Sequence, residues 1–295
     1  MNQYLSIAGL NFAISTDENL VIGEQARSFR GFATENPATD AYRIHFADRP
    51  DLKLDIENDE KLSALTAQTD DCTRLLRMQG RTTVVEAILN NNPYFSKIRM
   101  SIDADGTTLF ECQRHNLNIY NIDTYIHPLF TIALRSHLVN HRGALVHSSV
   151  VNDGNFGLLF TALSGTGKST MAQIWRSCGA RIINDDMHAL RIDGESVVAH
   201  NIPMQTYKQT PRSTPIQVIC LISQSRENFI RPCTGALAAA RVMSNSLCLN
   251  YDAQLSALHS QNIIDICSRV HVLEVGFKPD TDIVFMLRRY LEQTL

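Results

Sequence analysis

The chain has no apolar run approaching the roughly twenty residues needed to cross a bilayer as a helix. Its first residues, Met1-Asn2-Gln3-Tyr4, carry neither the basic nor the apolar region of a secretory signal. It also lacks an excess of positive charge. Lys and Arg number 27 against 30 Asp and Glu, for a formal net charge of −3. A nucleic-acid partner would call for a basic face, so neither a membrane nor nucleic acid is the expected partner. No Cys-x-x-Cys pair occurs. The seven cysteines (Cys72, Cys112, Cys178, Cys220, Cys233, Cys248 and Cys267) are odd in number and irregularly spaced, which argues against a zinc site or a disulfide framework. Cys220, inside Val218-Ile219-Cys220-Leu221-Ile222, reads as a small buried hydrophobe. Reduced thiols and no signal make the cytoplasm the expected compartment. Aromatics are sparse at 7%, and the single tryptophan, Trp175, reads as core.

What is present is 295 residues, 44% hydrophobic, enough for one large domain or two ordinary ones. The most informative stretch is Ala162-Leu163-Ser164-Gly165-Thr166-Gly167-Lys168-Ser169-Thr170, a near-complete phosphate-binding loop. An apolar segment, Gly157-Leu158-Leu159-Phe160-Thr161, precedes it and reads as a buried strand, and Ser169 to Cys178 reads as a helix. Strand, glycine-rich loop and helix are the context a nucleotide site needs, because loop amides and the helix N-terminus together favour phosphate. Ser164, Gly165, Thr166, Gly167, Lys168, Ser169 and Thr170 are the expected ATP-binding residues. Lys168 would reach the β- and γ-phosphates, and the Ser169 hydroxyl would hold Mg²⁺. The motif departs at its first position, where Ala162 replaces glycine and would be strained at positive φ.

Residues 1–125 read as β-rich, with strands at 4–8, 42–46, 83–88, 97–102, 108–112 and 117–120, and a hairpin turn at Asp103-Ala104-Asp105-Gly106. Their expected role is packing or substrate recognition. Pro128 to Asn140 reads as a helix starting near its proline. From Ala144 onward strands and helices alternate. Strands are expected at 144–147, 148–151, 157–161, 181–183, 188–192, 196–199, 216–223 and 270–275, with Asn228 to Arg231 pairing with 216–223. Helices are expected at 234–244, capped by Thr234, and at 281–292. Gly179 closes the helix after the loop.

Three polar residues accompany the loop: His147 on the strand before it, and Asp185-Asp186 at the end of the strand after it. Two adjacent carboxylates beside a metal can divide the work, one holding Mg²⁺ and one facing the nucleophile. This set, with Ala144-Leu145-Val146-His147-Ser148-Ser149 and the loop at 162–170, resembles the HPr kinase/phosphorylase family and, more distantly, the ATP-dependent phosphoenolpyruvate carboxykinases. The resemblance runs over roughly residues 140–275. It implies an α/β (mixed α+β) P-loop catalytic domain with a mixed or antiparallel sheet over 126–295, preceded by a smaller β-rich domain over 1–125. It implies an ATP- and Mg²⁺-dependent kinase acting on a hydroxyl, in particular a serine in a peptide, protein or small metabolite. Lys168 would bind phosphate, Ser169 and Asp185 would hold Mg²⁺, Asp186 would be the base, and His147 would assist it. A homo-oligomer is compatible with the family. The family's glycine-containing segment after the Asp pair is missing, since this chain reads Pro203-Met204-Gln205-Thr206-Tyr207-Lys208-Gln209-Thr210-Pro211. HPr as substrate and the phosphorylase reaction are therefore not expected.

Each residue also has a plainer reading. Asp is common in turns, a lone histidine is commonly core, and Arg212, Arg226, Arg231 and Arg241 are ordinary surface cations unless one contacts phosphate. Lys208 and Arg212 are candidates for substrate or phosphate contact, and His188 reads as structural. The second functional class is a nucleotide-binding regulator or scaffold without catalysis. Ala162 favours it; the retained Lys168, Ser169, Asp185, Asp186 and His147 favour the kinase.

Overall fold

The computed structural model describes residues 3–17, 29–35, 40–69, 72–92, 95–115, 123–203 and 210–295. The chain divides into two compact units, Met1–His137 with Pro203–Thr210, and Leu138–Ile202 with Pro211–Leu295. The fold is mixed α and β, built on two large mixed sheets. Among the described residues no helix is long and apolar enough to cross a membrane.

The first unit contains β1 (Gln3–Ile7), β2 (Leu10–Thr16), β3 (Ala33–Thr34), β4 (Tyr42–Asp48), β5 (Ala67–Gln68), β6 (Cys72–Gln79), β7 (Thr82–Leu89), β8 (Phe95–Ile102) and β9 (Thr108–Arg114). It also has the one-turn helix α1 (Glu60–Ser63) and most of α2 (Asp123–Asn140). The strand order is β3-β1-β2-β4-β9-β8-β7-β6-β5, with β2, β4 and β9 mutually parallel and the other pairings antiparallel. Alternation turns Phe12, Ile14, Ile44, Phe46 and Phe110 inward. Phe46 stacks on Phe110 with ring centres 4.6 Å apart, and Phe12 meets Phe130 of α2 edge-on at 5.5 Å. On the other face, the buried carboxylate of Glu86 accepts from Arg99 Nε and from the amides of Asp55 and Ile56, all at 3.0 Å. A buried charge paired and hydrogen-bonded in this way is tolerated, whereas an unpaired one is costly.

The second unit contains β10 (Gly143–Asn152), β11 (Gly157–Thr161), α3 (Lys168–Ser177), β12 (Arg181–Asn184), β13 (Met187–Asp193), β14 (Ser196–Asn201), β15 (Ser213–Ile216), β16 (Val218–Gln224), β17 (Phe229–Pro232), α4 (Gly235–Met243), α5 (Ala253–Arg269), β18 (His271–Phe277) and α6 (Asp282–Thr294). The order is β15-β14-β13-β10-β11-β16-β18-β17, with β12 also paired to β10. The steps β11-β16 and β16-β18 are parallel. All five β11 residues are buried, as a strand covered on both faces requires. Alternate residues feed two cores. Leu159, Ile219, Leu221 and Val272 pack with Ala238, Ala239 and Val242 of α4 and Ile263 and Ile266 of α5. Leu158, Phe160, Val218, Cys220, Leu273 and Val275 pack with Met171, Ala172 and Trp175 of α3 and Leu287 and Leu291 of α6. The sheet is thus the middle of three layers.

Several expectations are corrected. β17 pairs with β18 and not with 216–223, because β18 is inserted between them. Pro128 lies inside α2, which begins at Asp123. The segments 144–147 and 148–151 are one continuous strand, β10. Thr234 precedes α4 without a side-chain cap bond. The sequence reading left α5 unassigned, although Asp252 caps it through the amides of Gln254 at 2.7 Å and Leu255 at 3.0 Å. The strand expected at 117–120 lies outside the described residues.

The entry of β11 is sterically tight. A Cβ on Gly157 would sit 1.9 Å from the backbone oxygen of Pro215. Gly157→Ala should destabilise the fold by roughly 1–3 kcal/mol. The check is urea unfolding, where the midpoint should fall at unchanged slope.

Candidate active site

Two edges of β10 bring the expected residues together. On one edge Ser148 pairs with Thr161, the last residue of β11, so the chain leaves the sheet there and enters the loop. On the other edge β12 pairs with Val150 to Asn152 and β13 with Gly143 to His147. Asp185 and Asp186 occupy the break between those two pairings. The Ser148 amide donates to the Asp186 carbonyl at 3.0 Å, and Asn184 Nδ2 donates to the Met187 carbonyl at 3.1 Å, closing the turn. Loop and carboxylates therefore stand level with each other on opposite sides of one strand.

The loop runs from Ala162 to Gly167, and α3 begins at Lys168. Gly165 and Gly167 have φ of +80° and +108°, conformations that side chains with a Cβ rarely adopt. Ala162 is not among the positive-φ residues; it is buried and packs in the α3–α6 core. The strain expected at this departure from the motif is absent. Thr166 donates its amide to Leu163 O, and Met171 N closes the first helical bond to Gly167 O. The amides of Gly165, Gly167, Lys168, Ser169 and Thr170 donate to no protein group among the described residues. Together they form a helix entrance lined by amide donors, an arrangement that favours anions. Ser164 and Thr170 are exposed at its rim.

Lys168 is only 7% exposed, and its ammonium donates to Ala162 O at 3.0 Å and Leu163 O at 3.3 Å. Burial pulls its pKa below the usual lysine value, while Asp186 and Asp185 oppose that shift. Ser169 Oγ donates to Asp185 Oδ1 at 3.1 Å, placing two hard oxygen donors side by side at the start of α3. His147 Nε2 lies 3.7 Å from Asp186 Oδ1, both about two-fifths exposed. Burial, then the Lys168 charge, lowers the His147 pKa, with Asp186 acting against them. Burial and the Lys168 charge both favour the neutral imidazole.

Some contributors were not found from sequence. The backbone of His147 is fixed by its amide donating to Asn245 O at 3.0 Å and by its carbonyl accepting from Thr161 Oγ1 at 2.9 Å. Leu247 N donates to Leu145 O, so residues 245–247 continue the sheet where β11 turns into the loop. Main-chain partnerships of this kind leave no residue-type signal. His188 is fully buried against Ser148 Oγ at 3.0 Å, with its pKa pushed down to about 3 by burial, and is structural. Arg212 donates to Ile182 O at 3.4 Å, Arg231 lies over the Phe229 ring, and Arg241 pairs with Glu274. Each is engaged away from the loop residues. Trp175 is buried core beneath Arg288, which also binds Asp153 at 3.1 Å. Lys208 lies outside the described residues.

No family model and no curated protein matches the chain. Among solved structures, the HPr(Ser) kinase/phosphatase from Coxiella burnetii is weakly similar. Its TM-score is 0.31 and its identity 8%, over 51% of this chain and 97% of that one.

The electrostatic coupling predicts opposite responses of His147 to two substitutions. Lys168→Ala removes a repelling cation and should raise the His147 pKa. Asp186→Asn removes an attracting carboxylate and should lower it further. Titration of the His147 ring protons by NMR reads both; shifts of the same sign would contradict the geometry.

Proposed function

We propose that the chain is an ATP- and Mg²⁺-dependent kinase that transfers the γ-phosphoryl group to a hydroxyl, in particular a serine of a peptide, protein or small metabolite. The observation that carries this reading is the convergence on one strand level of Ser169 with Asp185, and of His147 with Asp186, beside the buried Lys168. A P-loop without carboxylates would bind nucleotide only; a carboxylate turn without the loop would be a turn.

The residues fit the groups such a reaction needs. Free amides at the start of α3 suit phosphate oxygens, and Lys168 supplies a cation against them. Ser169 and Asp185 would hold Mg²⁺, which takes few protein ligands and completes its shell from water and phosphate. When bound, Mg²⁺ would neutralise charge on the phosphate oxygens.

Asp186 would accept the proton of the acceptor hydroxyl as its oxygen bonds to the γ-phosphorus and the bridging bond to ADP breaks. His147, facing Asp186 at 3.7 Å, would orient that carboxylate. Most of the acceleration would come from positioning and charge stabilisation. Residues 1–125 would serve acceptor recognition, and the cytoplasm would be the compartment.

Calorimetric titration with Mg²⁺·ATP should show binding to the wild type and loss of binding in Lys168→Ala. Asp186→Asn should retain nucleotide and lower phosphoryl transfer by about 10²–10⁴-fold, the usual weight of a general base. Unchanged transfer in Asp186→Asn would remove the base assignment. Wild-type binding with no transfer to any serine acceptor would leave the nucleotide-binding regulator or scaffold. Ser169→Ala should raise the Mg²⁺ concentration needed for half-maximal transfer, read by a metal titration at fixed ATP.

A further inference from the structure

A second constellation lies on the sheet of the first unit. Ser15 on β2 and His45 on β4 are register partners in a parallel pair, so their side chains emerge side by side from one face. Ser15 Oγ is 2.9 Å from His45 Nδ1, and His45 Nε2 is 3.1 Å from Asp17 Oδ1. An ionised carboxylate only accepts hydrogen bonds, so Nε2 carries a proton toward Asp17. In that tautomer Nδ1 is an acceptor facing the Ser15 hydroxyl, which also lies 3.5 Å from the Ile44 carbonyl oxygen. Asp17 is itself held. Its Oδ2 accepts from the Asp48 amide at 3.0 Å and lies 3.6 Å from Arg49 Nη1. Arg49 is in turn anchored by Glu111 at 3.4 Å.

The order nucleophile, base, orienting carboxylate is the arrangement that activates a serine hydroxyl. It is recognised by geometry and role, not by chain position. The phosphoryl-transfer reading gives these three side chains no chemical step. Ala13 is small and adjacent to Ser15 on β2, Tyr4 pairs with Ala13, and Leu109 pairs with His45. Arg43, two residues before His45 on the same face, is 76% exposed. A site bordered by Ala13 suits a small, uncharged acyl group, and Arg43, which lies 3.8 Å from Asp105 Oδ2, is the cation on that face.

We propose that Ser15, His45 and Asp17 form a hydrolytic site for small carboxylic esters. Ser15 Oγ bonds to the ester carbonyl carbon while its proton passes to His45 Nδ1. The carbon–oxygen bond to the alcohol breaks, and the alcohol leaves with that proton. Water, giving a proton to His45, attacks the acyl-serine; the carboxylic acid departs and Ser15 recovers its proton. Asp17 keeps the imidazole in the tautomer that accepts from Ser15.

The test is labelling of the full chain with an alkyl fluorophosphonate, mapped by peptide mass spectrometry, alongside p-nitrophenyl acetate hydrolysis. Ser15 should carry the phosphonyl adduct in the wild type, and Ser15→Ala should lose both the adduct and the hydrolysis. His45→Gln, with its circular dichroism unchanged, should slow labelling by about a hundredfold. An unlabelled Ser15 in the wild type overturns the proposal, whether or not the variants fold. Equal labelling rates in wild type and folded His45→Gln overturn it as well.

Discussion

The candidate site depends on the two hydrogen-bonded edges of β10. One edge delivers β11 and ends where the loop begins; the other changes partner from β12 to β13 and leaves a gap filled by Asp185 and Asp186. Ser148 belongs to both edges, pairing with Thr161 and donating to the Asp186 carbonyl. Because side chains alternate along a strand, a slip of one residue on either edge would turn its side chains to the opposite face. The placement of these residues is thus held by main-chain register more than by any side-chain contact, and the two-sided cores that bury β11 and β16 enforce that register.

Within this frame the charges constrain one another. Lys168 is buried far enough that its ammonium is disfavoured, and two carboxylates restore part of what burial removes. The same ammonium pushes the neighbouring imidazole toward its neutral form. Asp185 is taken up by a hydroxyl at the helix start, whereas Asp186 faces a half-exposed imidazole. Adjacent residues in a turn thereby acquire different surroundings, and different surroundings separate the roles of paired carboxylates.

Much of this was legible from residue types. The strand–loop–helix over 157–177 is announced by a buried apolar run, glycines and a Lys-Ser pair, all local signals. The hairpin at Asp103 to Gly106 follows from turn chemistry and closes with Gly106 N on Asp103 O at 2.8 Å. Long-range pairing is different. Nothing in Asn228 to Arg231 tells it to pair with β18 in preference to β16, because the choice is made by a strand some forty residues later. The helix α5 was hidden because Ser256, His259, Ser260 and Asn262 interrupt its apolar stripe. Two of those polar residues are buried with partners: His259 meets Ser246 at 2.8 Å, and Asn262 binds Val139 O at 2.7 Å. Polar residues satisfied in a core look like surface residues until their partners are known.

The first position of the glycine-rich loop shows why a motif must be read by conformation. Glycine is needed where the backbone enters positive φ or where another group lies too close for a Cβ. Gly165 and Gly167 meet the first condition, and Gly167 also has Phe277 only 3.1 Å from where its Cβ would be. Ala162 meets neither, since its backbone is unstrained and its methyl group packs in the core that seats α3. Its carbonyl, which any residue would supply, accepts from Lys168 together with that of Leu163. A departure from the consensus at this place alters packing under the loop and leaves the donors that face outward unchanged. The same substitution at Gly165 or Gly167 would force a side chain into positive φ, where the backbone of the donor array itself would have to move.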